Sequence, residues 1–481
     1  MNPALAIPAF GPAVPEIILA AGALVLVLVG AYRGEGSTRL VNLLALGLLA
    51  AALVAVLALP AGRVTTFNGA FVVDPFAKFM KVLTLLGSGA AIVMSEDYLR
   101  REGIARFEFG ILIVLSTVGM LVMISANDLI ALYLGLELQS LSAYVIASFH
   151  RDNLRSTEAG LKYFVLGALS SGMLLYGASL VYGFTGTVSF EGIATALHGA
   201  APGLGIILGI VFVAAGIAFK ISAAPFHMWT PDVYQGAPTP VTAYMSAATK
   251  VAAFFALMRV LDVGLQPLTW DWTPIVYGLS VISVVVGAGL AAVQLDVKRM
   301  LAYSSVAHAG FILAGLTSPN ATGIRSAMFY LIAYSIMTVG AFGVTMLVAS
   351  RSAEPSTYDS YDGLGARTPG LAALMTVFLL SLAGIPPTVG FIAKLTVFGS
   401  AIAAGNWPLA VLGMLASVVA AYAYLRVVVR MYFRQPRGDI VDDRSLMPQL
   451  AGLVLAVSVV VLGVFPRLVS DIIEQASILR W

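Results

Sequence analysis

Long and almost uninterrupted apolar runs divide this chain, and they constrain its fold more than any other feature. A transmembrane helix needs about 20 mostly apolar residues, whereas the strands of a membrane barrel alternate polar and apolar residues over about ten. The runs here are too long and too continuous for barrel strands, so the sequence predicts an all-α polytopic membrane protein. We identify fourteen such runs, at 16–32, 40–60, 74–94, 108–126, 128–148, 158–183, 205–235, 240–262, 273–293, 300–317, 323–350, 370–402, 407–432 and 446–472.

The composition excludes several other classes of protein. The 481 residues are 59% hydrophobic and only 11% charged, whereas soluble proteins carry about 25% charged residues. A soluble enzyme or a nucleic-acid-binding protein of this size would lack the charge to cover its surface, and a net charge of +3 is not a basic patch. The sequence has no cysteine and four histidines without metal-ligand spacing, so we expect no bound metal or haem.

Positive charges are divided unequally between alternate loops. If the N-terminus lies outside, fifteen lysines and arginines fall on the inward side and five on the outward side. Because inward loops are enriched in these residues, the sequence predicts that both termini lie outside. The inward residues are Arg33, Arg39, Arg100, Arg101, Arg106, Arg151, Arg155, Lys298, Arg299, Arg351, Arg367, Arg430, Arg434, Arg437 and Arg444, and the outward residues are Arg63, Arg259, Arg325, Arg467 and Arg480.

Lysine, unlike arginine, is concentrated inside the predicted spans. Arginine stays protonated almost anywhere, but lysine can release its proton when burial lowers its pKa, so buried lysines suit a proton path. Lys220, Lys250 and Lys394 lie deep in their spans or beside helix breaks and are the best candidates. Lys78 and Lys81 lie near the start of their span, and we expect them to extend to the headgroups. The six lysines within spans are Lys78, Lys81, Lys162, Lys220, Lys250 and Lys394, and Lys298 is expected in a loop.

Glu137 is the acidic counterpart of these lysines. It lies near the middle of the run 128–148 with leucine on both sides. A carboxylate there needs a cation nearby to stay charged, and the natural partner is an intramembrane lysine; the pair could serve proton transfer or only lock two helices together. Histidine titrates near neutrality, so His308 could relay protons or only join helices, and His227 could bridge to Lys250 through water.

Two predicted spans contain helix-breaking sequences, and each break lies close to a buried lysine. Pro225 follows Lys220, and Pro386-Pro387 precedes Lys394. Proline removes a backbone N–H and clashes with the carbonyl four residues earlier, and broken backbone at membrane depth is tolerated only where protein or water satisfies it. Such breaks in two corresponding halves mark the sites of transporters. The alternative is a proline kink that serves packing alone.

These features suggest two five-helix units of similar layout. Lys220 and Lys394 are 174 residues apart, and Glu137 and His308 are 171 apart. The order of lysine and break is reversed between the halves, so we do not expect an alignable duplication. An odd number of spans per unit inverts the second unit in the membrane. The predicted units are 108–262 and 273–432, preceded by three helices within 1–107 and followed by one helix at 446–472.

The motif around the first break is similar to that of a known superfamily. Together with Glu137 inside a span, it resembles the antiporter-like subunits of respiratory complex I and the Mrp-type cation/proton antiporters. The resemblance covers nearly the whole chain. The residues that carry it are Lys220, Pro225-Phe226-His227, Trp229, Pro231-Asp232, Tyr234, Gly236-Ala237-Pro238 and Pro240.

Within this superfamily, the chain is most similar to the subunit N family, which includes mitochondrial subunit 2. The run Gly390-Phe391-Ile392-Ala393-Lys394 ends in lysine where subunit M types carry glutamate. The run Glu137-Leu138-Gln139-Ser140-Leu141-Ser142 is similar to that of subunit N. The long lateral amphipathic helix of subunit L types does not follow the fourteenth predicted span.

The resemblance implies a role for each charged residue. Glu137 and Lys220 would form an inward half-channel pair that Lys162 tunes. Lys250, with His227, would link the two halves, and Lys394 would gate the outward exit. It further implies a multi-pass protein of the bacterial inner membrane with both termini periplasmic. Its partners would be other antiporter-like and small membrane-arm subunits, and flavin, iron–sulfur clusters and quinone would be bound by other subunits.

The expected function is therefore proton translocation as a membrane-arm subunit of NADH:quinone oxidoreductase, driven by quinone reduction elsewhere in the complex. The main alternative is a stand-alone or Mrp-type cation/proton antiporter subunit, which would need an acidic or carbonyl cation site. A purely structural subunit would have replaceable lysines. A quinone-binding subunit would need a histidine paired with tyrosine or aspartate at headgroup level.

Overall fold

A computed structural model describes residues 8–199, 202–350, 357–436, 440–442 and 446–477, and they form a bundle of α-helices with two small two-stranded sheets. Arg351, Arg437, Arg444 and Arg480, which the predicted topology uses, lie outside the described residues. The helices are α1 Val14–Arg33, α2 Thr38–Ala58, α3 Pro75–Arg101, α4 Glu108–Ser125, α5 Leu129–Ala147, α6 Leu154–Thr185, α7 Phe190–Leu197, α8 Leu204–Lys220, α9 Trp229–Gly236, α10 Thr239–Arg259, α11 Thr269–Val293, α12 Val297–Leu316, α13 Ala321–Leu347, α14 Leu364–Arg367, α15 Pro369–Ala383, α16 Val389–Ala403, α17 Trp407–Phe433, α18 Leu446–Val464 and α19 Arg467–Ala476. Two small antiparallel sheets are present: β1 Val64–Thr66 pairs with β2 Phe71–Val73 in a hairpin, and β3 Val348–Ser350 pairs with the distant β4 Ile440–Asp442.

The membrane-spanning character of the bundle agrees with the sequence, although the count differs. Within the described ranges, ten helices are long and apolar enough to cross a membrane, or eleven if the bent pair α18 and α19 is one span. The predicted run 446–472 bends by 82° between those two helices. The predicted runs 205–235 and 370–402 are each divided into two shorter helices. The all-α polytopic fold is therefore confirmed, and the number fourteen stays a prediction.

The first divided span breaks directly after Lys220, where α8 ends. Ser222 takes a left-handed backbone conformation, with φ of 61°, and α9 begins only at Trp229. The indole N–H of Trp229 donates to the carbonyl of Phe219 at 2.9 Å, so a carbonyl at the end of α8 finds a partner within the protein. The N–H of Ala224 donates to Ser283 at 2.8 Å. The backbone polar groups that the break releases are thus bound by protein, as membrane depth requires.

Helix α10 occupies the centre of the bundle. Every residue from Thr239 to Arg259 is buried, which no surface helix of a membrane protein would show. The α3 face meets α10 closely, since a Cβ on Gly87 would lie 3.2 Å from that of Ala248. Peripheral helices instead expose large apolar side chains, such as Leu169 of α6, as contact with lipid tails requires. Lys250 therefore lies on the central helix of the bundle.

Candidate proton-transfer site

Three buried lysines on α8, α10 and α16 form the centre of the candidate site. Lys220, Lys250 and Lys394 are each less than 8% exposed. No carboxylate among the described residues lies within salt-bridge distance of any of the three ammonium groups. Each ammonium group binds hydroxyl or carbonyl oxygens instead. Such neutral partners satisfy hydrogen bonds without fixing the proton on the lysine.

Lys220 binds the face of α5 that carries Glu137. Its Nζ donates to the hydroxyl of Ser140 at 2.6 Å and to that of Tyr144 at 3.4 Å. Glu137 is half-buried one helical turn before Ser140, and it is close enough to act electrostatically on Lys220. No direct Glu137–Lys220 ion pair is present among the described contacts, and the ammonium group binds the hydroxyls of Ser140 and Tyr144 instead. Sequence reasoning named Glu137 as the acid that acts on Lys220 but did not identify these hydroxyl partners.

Aromatic rings connect Lys220 with the next lysine. The Lys220 ammonium lies 5.4 Å from the ring centre of Tyr163, which stacks on Trp229 with centres 4.4 Å apart. Trp229 meets Tyr234 edge to face at 5.9 Å, and the Tyr234 ring lies 5.9 Å from Lys250 Nζ. Both lysines thus border one aromatic cluster, which the Lys220–Tyr234 motif supplies together with α6.

Lys250 joins α10 to α12 and α13. Its Nζ contacts the hydroxyl of Ser305 closely and also donates to the Ser305 carbonyl at 3.3 Å. The same Ser305 hydroxyl accepts a hydrogen bond from Tyr334 at 2.8 Å. A hydroxyl bound by two donors can pass a proton between them, because it has both lone pairs and a hydrogen of its own.

His308 follows one turn later on α12 and is buried. Its Nδ1 lies 2.8 Å from the hydroxyl of Tyr330, and its Nε2 lies 3.4 Å from that of Tyr424. Tyr424 in turn lies 2.5 Å from the hydroxyl of Ser304. Both ring nitrogens therefore have hydroxyl neighbours. The ring of Tyr334 borders both Lys250 and His308, and the ring of Phe311 borders both Lys394 and His308, so His308 shares an aromatic neighbour with each lysine.

Lys394 binds the backbone at the second helix break. Its Nζ donates to the carbonyls of Leu382 at 3.0 Å and Ala383 at 2.8 Å, at the end of α15, and to Ser417 of α17 at 2.5 Å. The last turn of a helix leaves carbonyls without partners, and here a lysine binds two of them. The predicted proximity of Lys394 to the Pro386-Pro387 break is therefore a direct contact.

Two predicted site residues lie away from this line. Lys162 is 40% exposed and forms ion pairs with Glu158 at 2.7 Å and Asp232 at 2.8 Å, so it has no contact with the Glu137–Lys220 region through its ammonium group. That Lys162 tunes the Glu137–Lys220 pair stays a prediction, and its ammonium group is bound by Glu158 and Asp232. His227 is half-buried with its ring centre 6.3 Å from that of Tyr303, and no described hydrogen bond joins it to Lys250.

Several buried charges were missed or misplaced by sequence reasoning. Lys81 does not extend to the headgroups: it is fully buried with its Nζ 2.7 Å from a carboxylate oxygen of Glu16. Lys298 is not in a loop but is buried in α12, where it donates to the carbonyl of Ala237 at 2.8 Å. Asp74 caps α3 by accepting a hydrogen bond from the backbone N–H of Ala77 at 2.7 Å, and it also binds buried Arg259 in two hydrogen bonds of 2.8 and 3.0 Å. Glu16 inside a predicted span was the available clue to the first pair.

A broken-helix bundle with a buried line of lysines defines an antiporter-like membrane protein, and comparisons with known proteins agree. The model of the family described as "NADH:quinone oxidoreductase/Mrp antiporter, TM" matches residues 126–420. A solved chain of respiratory complex I from Thermus thermophilus is 34% identical with a TM-score of 0.81, covering 95% of this chain and 98% of that one. A chain of the Mrp complex from Dietzia is only 21% identical, with a TM-score of 0.85 and coverage of 97% of each chain, so it shows a shared fold.

Comparison with curated protein sequences shows to which family within this class the chain belongs. NADH-quinone oxidoreductase subunit N of Methylobacterium nodulans is 54% identical over 467 residues, which cover 97% of this chain and 96% of the relative. The chain therefore belongs to the NADH-quinone oxidoreductase subunit N family, and the resemblance seen in the sequence is confirmed. It is an integral membrane protein. Among the described residues, no group of three or more histidine, aspartate or glutamate side chains is placed to hold a metal ion.

Proposed function

We propose that this chain translocates protons along a path of Glu137, Lys220, Lys250, His308 and Lys394, as a membrane-arm subunit of NADH-quinone oxidoreductase. Membership of the subunit N family gives the complex and its proton-translocating function. The observation that carries the path is that three buried lysines bind hydroxyls and carbonyls rather than carboxylates. Lysines that only held helices together would be expected to pair with acids.

Proton movement starts from the electrostatic link between Glu137 and Lys220. While the Glu137 carboxylate is charged, it favours the protonated form of Lys220. A change that neutralises Glu137 or moves it away weakens this electrostatic stabilisation of protonated Lys220. The interaction of two charges in a poorly solvated region is worth several kcal/mol at an effective dielectric of about 20. The proton then passes to Lys250, and the Ser305, His308 and Tyr424 region leads on to Lys394. Quinone reduction elsewhere in the complex supplies the energy.

Two inverted halves fit this path. A Cβ on Gly119 of α4 would lie 2.3 Å from the backbone nitrogen of Gln139 on α5. A Cβ on Gly287 of α11 would lie 2.3 Å from the backbone nitrogen of Ala307 on α12. Gly119 and Gly287 are 168 residues apart in the sequence, and so are Gln139 and Ala307. This equal offset supports a repeated helix pair. By the same offset Ser140, the partner of Lys220, corresponds to His308.

The finer architecture belongs to the same proposal. Fourteen spans would include the two divided helices and the bent pair α18 and α19, with the repeats at 108–262 and 273–432 and both termini on the periplasmic side of the bacterial inner membrane. Flavin, iron–sulfur clusters and quinone would be bound by other subunits. Partners would be the other antiporter-like and small membrane-arm subunits. The many large apolar side chains exposed on peripheral helices support contact with lipid or with such neighbours.

The test compares Lys220→Ala with the parent in sealed membrane vesicles that oxidise NADH. Assembly is checked on native gels and by NADH–ferricyanide activity, and proton uptake is measured together with NADH:quinone turnover. Lys220→Ala should lower coupled proton pumping about tenfold or more, because a positioned proton carrier is worth a factor of about 10² to 10⁴. Lys78→Ala is the matched control, since this lysine donates to the Leu59 carbonyl at the end of α2, away from the path. Normal pumping by an assembled Lys220→Ala complex would refute the path.

A further inference from the structure

A short amphipathic helix, α19, follows the last long apolar helix of the described chain. α18 has 19 residues, which at 1.5 Å of rise per residue span about 28 Å, close to the roughly 30 Å of hydrocarbon in a bilayer. The chain then bends by 82° into α19, Arg467–Ala476. Because α18 alone is long enough to cross the hydrocarbon, α19 begins near one surface of the membrane and runs across the end of α18.

Pro466 causes this bend. The N–H of Phe465 donates to the carbonyl of Val461 at 2.7 Å, which closes α18. Pro466 has no N–H to continue the helix, and its ring disfavours a helical conformation of the residue before it. The N–H groups of Val469 and Ser470 then donate to the Pro466 carbonyl at 3.1 and 3.0 Å, so α19 starts in a new direction. The bend is therefore encoded in the local sequence.

One face of α19 is held by the bundle. Ile473 and Ala476 are buried, and α19 packs against α3 and α13. Arg325 of α13 also binds this helix: a guanidinium nitrogen lies 2.9 Å from a carboxylate oxygen of Glu474, and Nε donates to the hydroxyl of Ser477 at 3.1 Å. These contacts fix the rotation of α19 about its axis, so the side chains that it turns away from the protein are defined.

A second edge of α19 is apolar and exposed. Leu468 and Ile472 are four residues apart, which places them on the same side of the helix, and each is more than half exposed. Val457 and Val464 of α18 and Phe465 at the bend are exposed as well. The exposed apolar side chains of the membrane-crossing helix thus continue through the bend into α19.

The third edge of α19 is polar. Arg467, Asp471 and Gln475 follow one another at intervals of four residues, and all three are exposed. Arg467 and Asp471 carry opposite charges, and Glu474 is paired with Arg325. Helices that bind anionic lipids have an excess of lysine and arginine on their polar face, and the described residues of α19 show no such excess. Its affinity for a membrane surface would therefore come from apolar burial.

We propose that α19 is a membrane-surface helix, with Leu468 and Ile472 inserted among the acyl chains and Arg467, Asp471 and Gln475 among headgroups and water. The partner is the bilayer itself, because the exposed apolar surface of α18 leads into this edge and α19 lies where the hydrocarbon ends. Through its ion pair, α19 also fixes one end of α13, the helix that carries two tyrosines of the candidate site.

The test uses the photo-cross-linking residue p-benzoylphenylalanine in place of Leu468, Ile472 or Gln475 in the assembled complex. The complex is reconstituted in phosphatidylcholine vesicles and illuminated, and mass spectrometry identifies what each position has bound. The first two positions should form lipid adducts. Gln475 is the matched control, since it is exposed on the polar edge of the same helix, and the adducts should be lost there. Adding phosphatidylglycerol should not change the yield, because the polar edge has no excess of positive charge.

Three results would overturn the proposal. Cross-links from Leu468 and Ile472 to another subunit would show that a protein covers the apolar edge. Lipid adducts at neither position would place that edge in water, and equal adducts at all three positions would contradict the division into an apolar and a polar edge. The outcome is independent of the proton path, because neither Leu468 nor Ile472 belongs to it.

Discussion

The close packing of α4 on α5 should control the position of Ser140, and Gly119→Ala tests this. The added Cβ would lie 2.3 Å from the backbone nitrogen of Gln139, whereas ordinary contact begins at 3.4 Å. The atoms in collision belong to the backbone, so no side-chain rotation relieves them. The two helices must separate by about 1.1 Å at this point. Overpacking of this kind typically costs about 1–3 kcal/mol.

The displacement reaches Lys220 because Ser140 follows Gln139 directly. A shift of this size along the 2.6 Å bond between Ser140 and Lys220 takes it to about 3.7 Å, beyond hydrogen-bonding distance. A shift in the opposite direction brings the two atoms into collision. A hydrogen bond to a charged group is worth about 1.5–3 kcal/mol, so the fraction of Lys220 held in position falls about tenfold or more.

The assay is NADH-driven proton pumping in sealed vesicles, normalised to assembled complex on native gels. Gly119→Ala should assemble in reduced amount and pump fewer protons per NADH than the parent. Gly172→Ala is the control, since a Cβ at this position of α6 meets no atom within 4 Å. A Gly119→Ala complex that assembles and pumps like the parent would refute the reasoning that α4–α5 spacing positions Ser140.

Two further variants probe buried and exposed charges. Arg259→Met leaves the buried carboxylate of Asp74 without its partner and should lower stability by about 3–5 kcal/mol. Adding Asp74→Asn, which keeps the helix cap, should recover most of this loss. Thermal inactivation of the complex measures both effects. No recovery in the double variant would contradict the pairing. Lys162→Met should leave pumping close to the parental level, because partly exposed pairs such as Lys162–Glu158 contribute about 1 kcal/mol or less. A loss as large as that of Lys220→Ala would place Lys162 in the path.

The helices and their breaks could be predicted because both depend on local sequence. Apolar runs long enough to span a membrane became helices, and prolines without an N–H divided two of them near Pro225 and Pro386. Asp74 could be recognised as a cap because its side chain binds a backbone N–H only three residues later. These features require no knowledge of which helices meet.

The partners of the buried charges could not be predicted, because they depend on helix rotation and packing. Ser140 is Lys220's hydrogen-bond partner across 80 residues of sequence, and many other serines in spans looked equivalent. Lys81 lay near the start of its span, where long side chains often extend outward, but α1 brings Glu16 against it. Lys298 was misplaced because it lies beside Arg299 and two residues after the helix-capping Asp296, and such a cluster of charges is typical of a loop.

Among the residues that the structure describes, no acid binds Lys250 or Lys394, and this bears on the order of proton movement in the proposed path. Glu137 is the carboxylate that interacts electrostatically with Lys220, at one end of the path. His308 interacts electrostatically with both of the other lysines. Like charges in a poorly solvated region repel strongly. A proton on Lys250 or Lys394 therefore disfavours a proton on His308, and in the proposed path release of the Lys394 proton lets His308 accept the next one. Hydroxyl partners permit this, because a carboxylate at either lysine would hold its proton in place and interrupt the sequence.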